Sequence, residues 1–253
     1  MIQLLHITDM HVYADPEATL KGIHTRQSLA GVLKEARRRF PQPDMIILGG
    51  DLAQDASSAA YACIAEMFDS LPTLAVAGNH DAPERLQAHF DHRAVDIGNW
   101  RIVPLHTHHA GHEGGLLGGR QLAGFAGMLE DAAGRHVLIV LHHPPVPVGS
   151  SWLDAIGLAD AEAFWAVVSR FPHVRGVLCG HIHQQLDIEH RGVRVLGTPA
   201  SCIQFQPHRP AFELDHQSPG YRWLQLMQDG SMVSGVERIS GFVLADLADN
   251  APY

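Results

Sequence analysis

Five short apolar runs in this chain each stop at a cluster of Asp, Asn or His. Ile2–Ile7 leads into Asp9-Met10-His11, Met45–Leu48 into Gly49-Gly50-Asp51, and residues 73–77 into Gly78-Asn79-His80-Asp81. Residues 137–141 lead into His142-His143, and Val174–Cys179 into Gly180-His181-Ile182-His183. Runs this short and this rich in Val, Ile and Leu read as buried strands. Between the first three, apolar residues fall at helical spacing: Leu29, Val32, Leu33, Ala36 and Phe40, stopped by Pro41 and Pro43, then Tyr61, Ile64, Ala65, Phe68 and Leu71. Strand, helix, strand, helix, strand is a parallel α/β opening. In such sheets, ligand-binding groups gather beyond the carboxyl ends of the strands. Side chains far apart in the polymer are therefore expected at one sheet edge.

The second half repeats the pattern. Residues 100–105 read as a strand, Leu122, Phe125, Ala126 and Leu129 mark a helix, and residues 161–171 a further helix. Antiparallel strands are expected at Leu186–His190, 193–196, 222–227 and Met232–Arg238. No linker-like stretch divides the chain, so one domain over 1–240 with a loose tail over 241–253 is expected.

The clusters have the chemistry of a metal centre. In Asp9-x-His11 and His181-x-His183, alternate residues of an extended segment point the same way. Carboxylate, amide oxygen and imidazole together suit Mn, Fe or Zn, and the absence of cysteine from the set argues against a structural thiolate zinc site. Histidine is abundant, 19 residues against 18 Lys plus Arg. A net charge of −9 makes nucleic acid an unsuitable partner, and no run is long enough to span a bilayer. Cys63, Cys179 and Cys202 are odd in number and unpaired in sequence, which suggests reduced thiols and a cytoplasmic setting.

The ordered series Asp-x-His, Gly-Asp, Gly-Asn-His-Asp, His, Gly-His-x-His resembles the signature of the calcineurin-like metallophosphoesterases. Three longer stretches are similar to the bacterial 3′,5′-cyclic AMP phosphodiesterases of that superfamily. They are Asp51 through Tyr61, Ser151-Trp152-Leu153-Asp154, and Phe171-Pro172-His173-Val174 through His183-Gln184. The resemblance implies a four-layer α/β/β/α sandwich with two mixed sheets and a two-metal site at the strand ends. Asp9, His11 and His183 would hold one ion, Asn79, His142 and His181 the other, and Asp51 would bridge them. Fe or Mn is expected, with Zn or Mg as alternatives.

The implied reaction is hydrolysis of cyclic AMP to 5′-AMP by a metal-bound hydroxide. His80 would assist the leaving 3′-oxygen, and Asp81 would either orient His80 or cap the helix that follows. Asn79, His80, His143 and Trp152 are the residues expected to meet the substrate. The same chemistry would serve a phospholipid-headgroup diester, a nucleotide pyrophosphate or a phosphomonoester. A monomer or a homodimer is compatible with the sequence.

Other segments carry milder expectations. The glycine-rich stretch 111–119 reads as a flexible connector bordering the site, and Thr198-Pro199-Ala200-Ser201 as a segment approaching the ligand. Phe164 and Trp165 read as helix core, and Arg37-Arg38-Arg39 as a solvated helix end.

Overall fold

The structure is a computed structural model and describes residues 1–68 and 71–242. The tail expected over 241–253 lies, from 243 onward, outside the described residues. The elements run β1 (Ile2–Ile7), α1 (Thr25–Arg39), β2 (Met45–Leu48), α2 (Ser58–Met67), β3 (Thr73–Ala75), α3 (Pro83–Gln87), β4 (Val95–Ile97), β5 (Trp100–Pro104) and α4 (Gly118–Glu130). They continue with β6 (His136–Leu141), α5 (Ser151–Asp154), α6 (Ala161–Val168), β7 (Val174–Cys179), β8 (Leu186–His190), β9 (Val193–Gly197), β10 (Gln204–Phe205), β11 (Leu214–Asp215), β12 (Gly220–Leu226) and β13 (Met232–Arg238).

Two mixed sheets result. One has the order β13-β12-β1-β2-β3, the other β4-β5-β6-β7-β9-β8. β1, β2 and β3 are mutually parallel, with β12 antiparallel to β1. In the second sheet β5, β6, β7 and β9 run parallel. β8 and β9 pair antiparallel as expected, while β9 also runs parallel to β7 on its other side. β8 forms a hairpin with β9 and turns it back beside β7.

Strand alternation gives each sheet two apolar faces, and three cores follow. Leu4, Ile47 and Leu74 of the first sheet pack against Ile102, Leu138, Val140 and Leu178 of the second. The outer face of the first sheet is covered by α1 and α2 through Leu29, Val32, Leu33, Tyr61 and Ile64. The outer face of the second is covered by α4 and α6 through Phe125, Leu129, Phe164 and Trp165. These contacts make four layers, helix, sheet, sheet, helix, as the resemblance implies. Burial on this scale is the main favourable term for such a chain.

The local readings hold with shifted ends. α6 closes at Val168, three residues short of the reading, because residues 169–171 turn back: the Phe171 N–H bonds the Val168 carbonyl ahead of Pro172. The arginines ending α1 pair outward, Arg38 and Arg39 with Glu35. No helix among the described residues is long and apolar enough to cross a membrane.

The 111–119 stretch is not a flexible connector. Gly115 donates to the Gly157 carbonyl at 3.0 Å and accepts from the Ala159 N–H at 2.8 Å. The amides of Leu117 and Gly118, which open α4, bond to the Asp160 carboxylate at 3.0 and 2.8 Å. A carboxylate at a helix N-terminus both satisfies free N–H groups and complements the dipole.

Candidate active site

The site lies where the carboxyl ends of strands from both sheets meet. β1 delivers Asp9 and His11, β2 Asp51, and β3 Asn79 and His80. β6 delivers His142, and β7 His181 and His183. The contacts run between sheets. His142 Nε2 lies 3.3 Å from Asp51 Oδ2, His183 Nε2 3.3 Å from Asp9 Oδ1, and His181 Nδ1 3.1 Å from Asn79 Oδ1. His11 Nε2 is 3.8 Å from Asp51 Oδ2 and 3.3 Å from His183 Nε2. All seven residues expected as ligands are thus brought together.

The backbone bends sharply to do this. Asp9, His11, Asp51, His181 and His183 all adopt left-handed conformations, with φ of 52°, 47°, 50°, 69° and 50°. Such angles are costly for side chains of this size and cluster where function requires them. The strands end and the chain folds over within one residue, so the side chain points across the edge instead of along it. Gly78 is required for a related reason: a Cβ there would collide with the Asp51 carboxylate. Gly50, at φ +98°, is likewise packed against the His142 ring.

Three of the inward imidazoles are held from behind. The Nδ1–H of His142 donates to the Gly49 carbonyl at 2.8 Å, that of His183 to the Ile203 carbonyl at 2.9 Å, and that of His11 to Gln54 Oε1 at 2.5 Å. This keeps a proton on Nδ1 and makes Nε2 the atom that can give its lone pair to a metal once the ring is neutral. Thr8 Oγ1 donates to Asp9 Oδ2 at 2.7 Å and the His80 N–H to Asp51 Oδ1 at 2.9 Å, fixing both carboxylates.

The charges match this geometry. Burial drives His11 down to about 3 and His181 well below its ordinary value, so both are neutral. Burial would also neutralise His142, but the adjacent Asp51 carboxylate overrides it and raises the ring to about 9. Burial alone would raise Asp51 too, and His142 instead holds it well below the carboxylate range. The Nε2 atoms of His142 and His181 are buried without a hydrogen-bond partner. Buried polar atoms are seldom left so, and here they face carboxylate, amide and imidazole donors. Groups able to hold a cation include Asp9 with Asp51 and His142, and His11 with His183 and Cys202. The donor set fits the metal centre the sequence suggests.

Two residues sit differently from their expected roles. Asp81 neither caps α3, whose N-cap is Ala82, nor touches the His80 ring among the described residues. Its buried carboxylate accepts from the N–H groups of Leu52, Ala53 and Gly78 at 3.1, 3.1 and 2.9 Å and from the Tyr61 hydroxyl at 3.0 Å. It ties the loop after β2 to the loop after β3. His143 is fully buried, accepts from the Thr107 hydroxyl at 2.8 Å, and donates from Nε2 to the Glu113 carbonyl at 3.0 Å. With both nitrogens used it is absent from the pocket lining, because the chain after β6 turns it behind His142.

A pocket of about 460 Å³ opens in front of the cluster and includes Asp51, Asn79, His80, His181 and His183. Trp152 lines it, as expected of a rim residue. Thr198 and Ser201 do not. Thr198 bonds the buried His6 ring at 2.6 Å, and Ser201 pairs with the Thr8 carbonyl behind the site. Phe205, Phe212 and the loop at 111–113 also line the pocket. Phe205 and Phe212 belong to, or border, two-residue strands in a region without a hydrophobic period, so no sequence signal marks them. Gln54 and Thr8 are visible only once the left-handed turns bring them beneath His11 and Asp9.

A family model described as calcineurin-like phosphoesterase matches residues 2–185. The chain is 40% identical to the 3′,5′-cyclic adenosine monophosphate phosphodiesterase CpdA of Escherichia coli, over 94% of this chain and 90% of that one. It is 36% identical to the CpdA of Vibrio vulnificus, over 98% and 94% of the two chains. Among solved structures it is similar to a dimetal phosphatase from Danio rerio, with a TM-score of 0.64 at 16% identity over 94% and 99% of the two chains, a likeness of fold. The strand-end Asp, Asn and His residues, the left-handed turns, the layer order and these matches agree: the protein is a member of the calcineurin-like phosphoesterase family.

Proposed function

We propose that this protein hydrolyses 3′,5′-cyclic AMP to 5′-AMP at a two-metal centre. The observation that carries the reading is the position of Asp51, whose carboxylate stands between His142 at 3.3 Å and His11 at 3.8 Å. Asp9, His11 and His183 would hold one ion, Asn79, His142 and His181 the second, and Asp51 both. Iron or manganese suits this donor set, with zinc and magnesium as alternatives. When bound, such a pair of ions neutralises phosphoryl oxygens and lowers the pKa of water.

The remaining work falls to the chain. Asn79 contributes a neutral oxygen, which limits negative charge where a phosphate must approach. His80 is half-exposed on the pocket wall, its N–H on Asp51 and its ring edge-on to His11 at 4.9 Å. It is placed to protonate the departing 3′-oxygen, a contribution worth roughly 10²–10⁴ in rate. The relatives' names support the substrate: CpdA proteins are cyclic AMP phosphodiesterases.

The test pairs elemental analysis of the purified protein with turnover of cyclic AMP, cyclic GMP, 2′,3′-cyclic nucleotides and an aryl phosphodiester. Two metal equivalents and preferred cleavage of a 3′,5′-cyclic nucleotide are expected. Turnover by metal-free protein, or cleavage of the aryl diester alone, overturns the proposal.

A further inference from the structure

The pocket has a second half that phosphate chemistry does not explain. Phe205 stacks on the His183 ring, centroids 4.0 Å apart and planes within 7°. Phe212 stands 5.3 Å from Phe205, and Trp152 5.1 Å from Phe205 and 5.5 Å from Phe212. Phe205, Phe212 and Trp152, with Ile156, line one side of the cavity. An aromatic wall therefore begins at a ring of the phosphate site and runs outward. A group attached to the phosphodiester must lie along it, and aromatic faces hold planar bases without reading their sequence.

The rim that runs beside Ile156 carries the polar groups. His112 and Glu113 line it. Glu113 is held through its carbonyl by His143, whose other nitrogen is fixed by Thr107, and the next turn is pinned at Gly115. This rim is anchored to the residue following His142. Among the described residues the Glu113 carboxylate makes no ion pair, and a carboxylate presents acceptor oxygens to a ligand.

We propose that Trp152, Phe212 and Glu113 form the nucleobase subsite, and that Glu113 makes it prefer a base bearing an exocyclic amino group. The inference rests on the reading of the site as a cyclic-nucleotide phosphodiesterase. An amino group donates to a carboxylate. A base with a carbonyl at that position turns its lone pairs toward the same oxygens and is repelled. Cyclic AMP and cyclic IMP differ at this position and at N1, an acceptor in adenine and an N–H in hypoxanthine, so their ratio reads contact with that edge of the base.

For the metal-loaded enzyme, kcat/KM is measured on cyclic AMP, cyclic IMP and the base-free 1-deoxyribose 3′,5′-cyclic phosphate, beside binding of adenosine and inosine by NMR titration. The wild type is expected to favour cyclic AMP over cyclic IMP by about 10-fold or more, as for an exposed-side bond to a charged acceptor. Glu113→Gln, whose amide rotates to suit either base, should bring that ratio within about 3-fold. Phe212→Leu keeps apolar volume but removes the flat face. It should lower kcat/KM for cyclic AMP about 10-fold more than for the base-free compound.

Equal rates on cyclic AMP and cyclic IMP in the wild type, or a ratio unmoved by Glu113→Gln, overturn the subsite. The nucleoside titration separates it from the reaction. Adenosine preferred over inosine in a Glu113-dependent way, without cyclic nucleotide turnover, keeps the subsite and removes the diesterase reading. Turnover of cyclic AMP with no such preference does the reverse.

Discussion

Tyr61→Phe removes one oxygen atom from a fully buried position and should reach the active site through it. The hydroxyl accepts from the Ala82 N–H at 2.8 Å and donates to Asp81 Oδ1 at 3.0 Å. Asp81 in turn holds the amides of Leu52, Ala53 and Gly78, which follow Asp51 and precede Asn79. The variant loses one bond to a charged acceptor and strands one backbone donor, together about 2–3 kcal/mol. For a chain of this size that corresponds to a fall in Tm of roughly 4–10 °C. The phenyl ring keeps its packing against Ile64 and Ala60, so no cavity opens to confuse the result. Because the two loops carry Asp51 and Asn79, both proposed ligands, the variant should also bind manganese more weakly. A misplacement near 1 Å can lower kcat by about 100-fold. Thermal melts and a metal titration read both effects. A Tm within a degree of wild type together with unchanged metal affinity refutes the argument that Tyr61 and Asp81 brace the site.

Asp51→Ala should abolish turnover and lower metal content, measured by elemental analysis, since both proposed ions share that carboxylate; full activity contradicts the bridging assignment. His80→Ala should reduce kcat by roughly 10²–10⁴ while metal content holds, and loss of metal instead recasts His80 as a ligand. Metal-free protein should lose stability as pH falls below about 6.5. Burial, reinforced by Arg222 for His6, drives the folded-state pKa of His6 to about 3, and burial drives His143 to about 3 as well. The unfolded chain therefore binds protons that the folded chain refuses between those limits, and stability is lost on acidification. At pH 5.5 each such histidine costs about 1.4 kcal/mol. His6→Gln should remove one share of the slope in urea denaturation at pH 7.5 and 5.5, and an unchanged slope contradicts it.

The elements legible in the sequence were those whose burial has a period. β1, β2, β6 and β7 are largely covered on both faces and read as mostly apolar runs, interrupted by Gln3 and His6 in β1 and Arg175 in β7, and α1 shows its inward residues at helical spacing. The candidate site was legible because each of its Asp, Asn and His clusters follows such a run directly, so strand ends and cluster positions are the same information. What escaped depends on contacts made across the fold. The pairing of β9 with β7 is decided by the β8 turn, and the role of Asp81 by donors that arrive from three other segments. Glycine content suggested a loose loop at 111–119, yet Asp160 accepts from its N–H groups and His143 donates to its Glu113 carbonyl, because a chain poor in side chains leaves its backbone groups open to such partners. The five left-handed residues show the same limit. Asp and His tolerate positive φ better than most residues, but that tolerance does not require it, and the conformation persists because bonds such as Asp9 N–H to Gly50 O at 2.9 Å and the His181 N–H to the Asp9 carboxylate at 3.1 Å over-determine it. Local sequence therefore specifies where each site residue lies, while the direction in which it points is a property of the closed network.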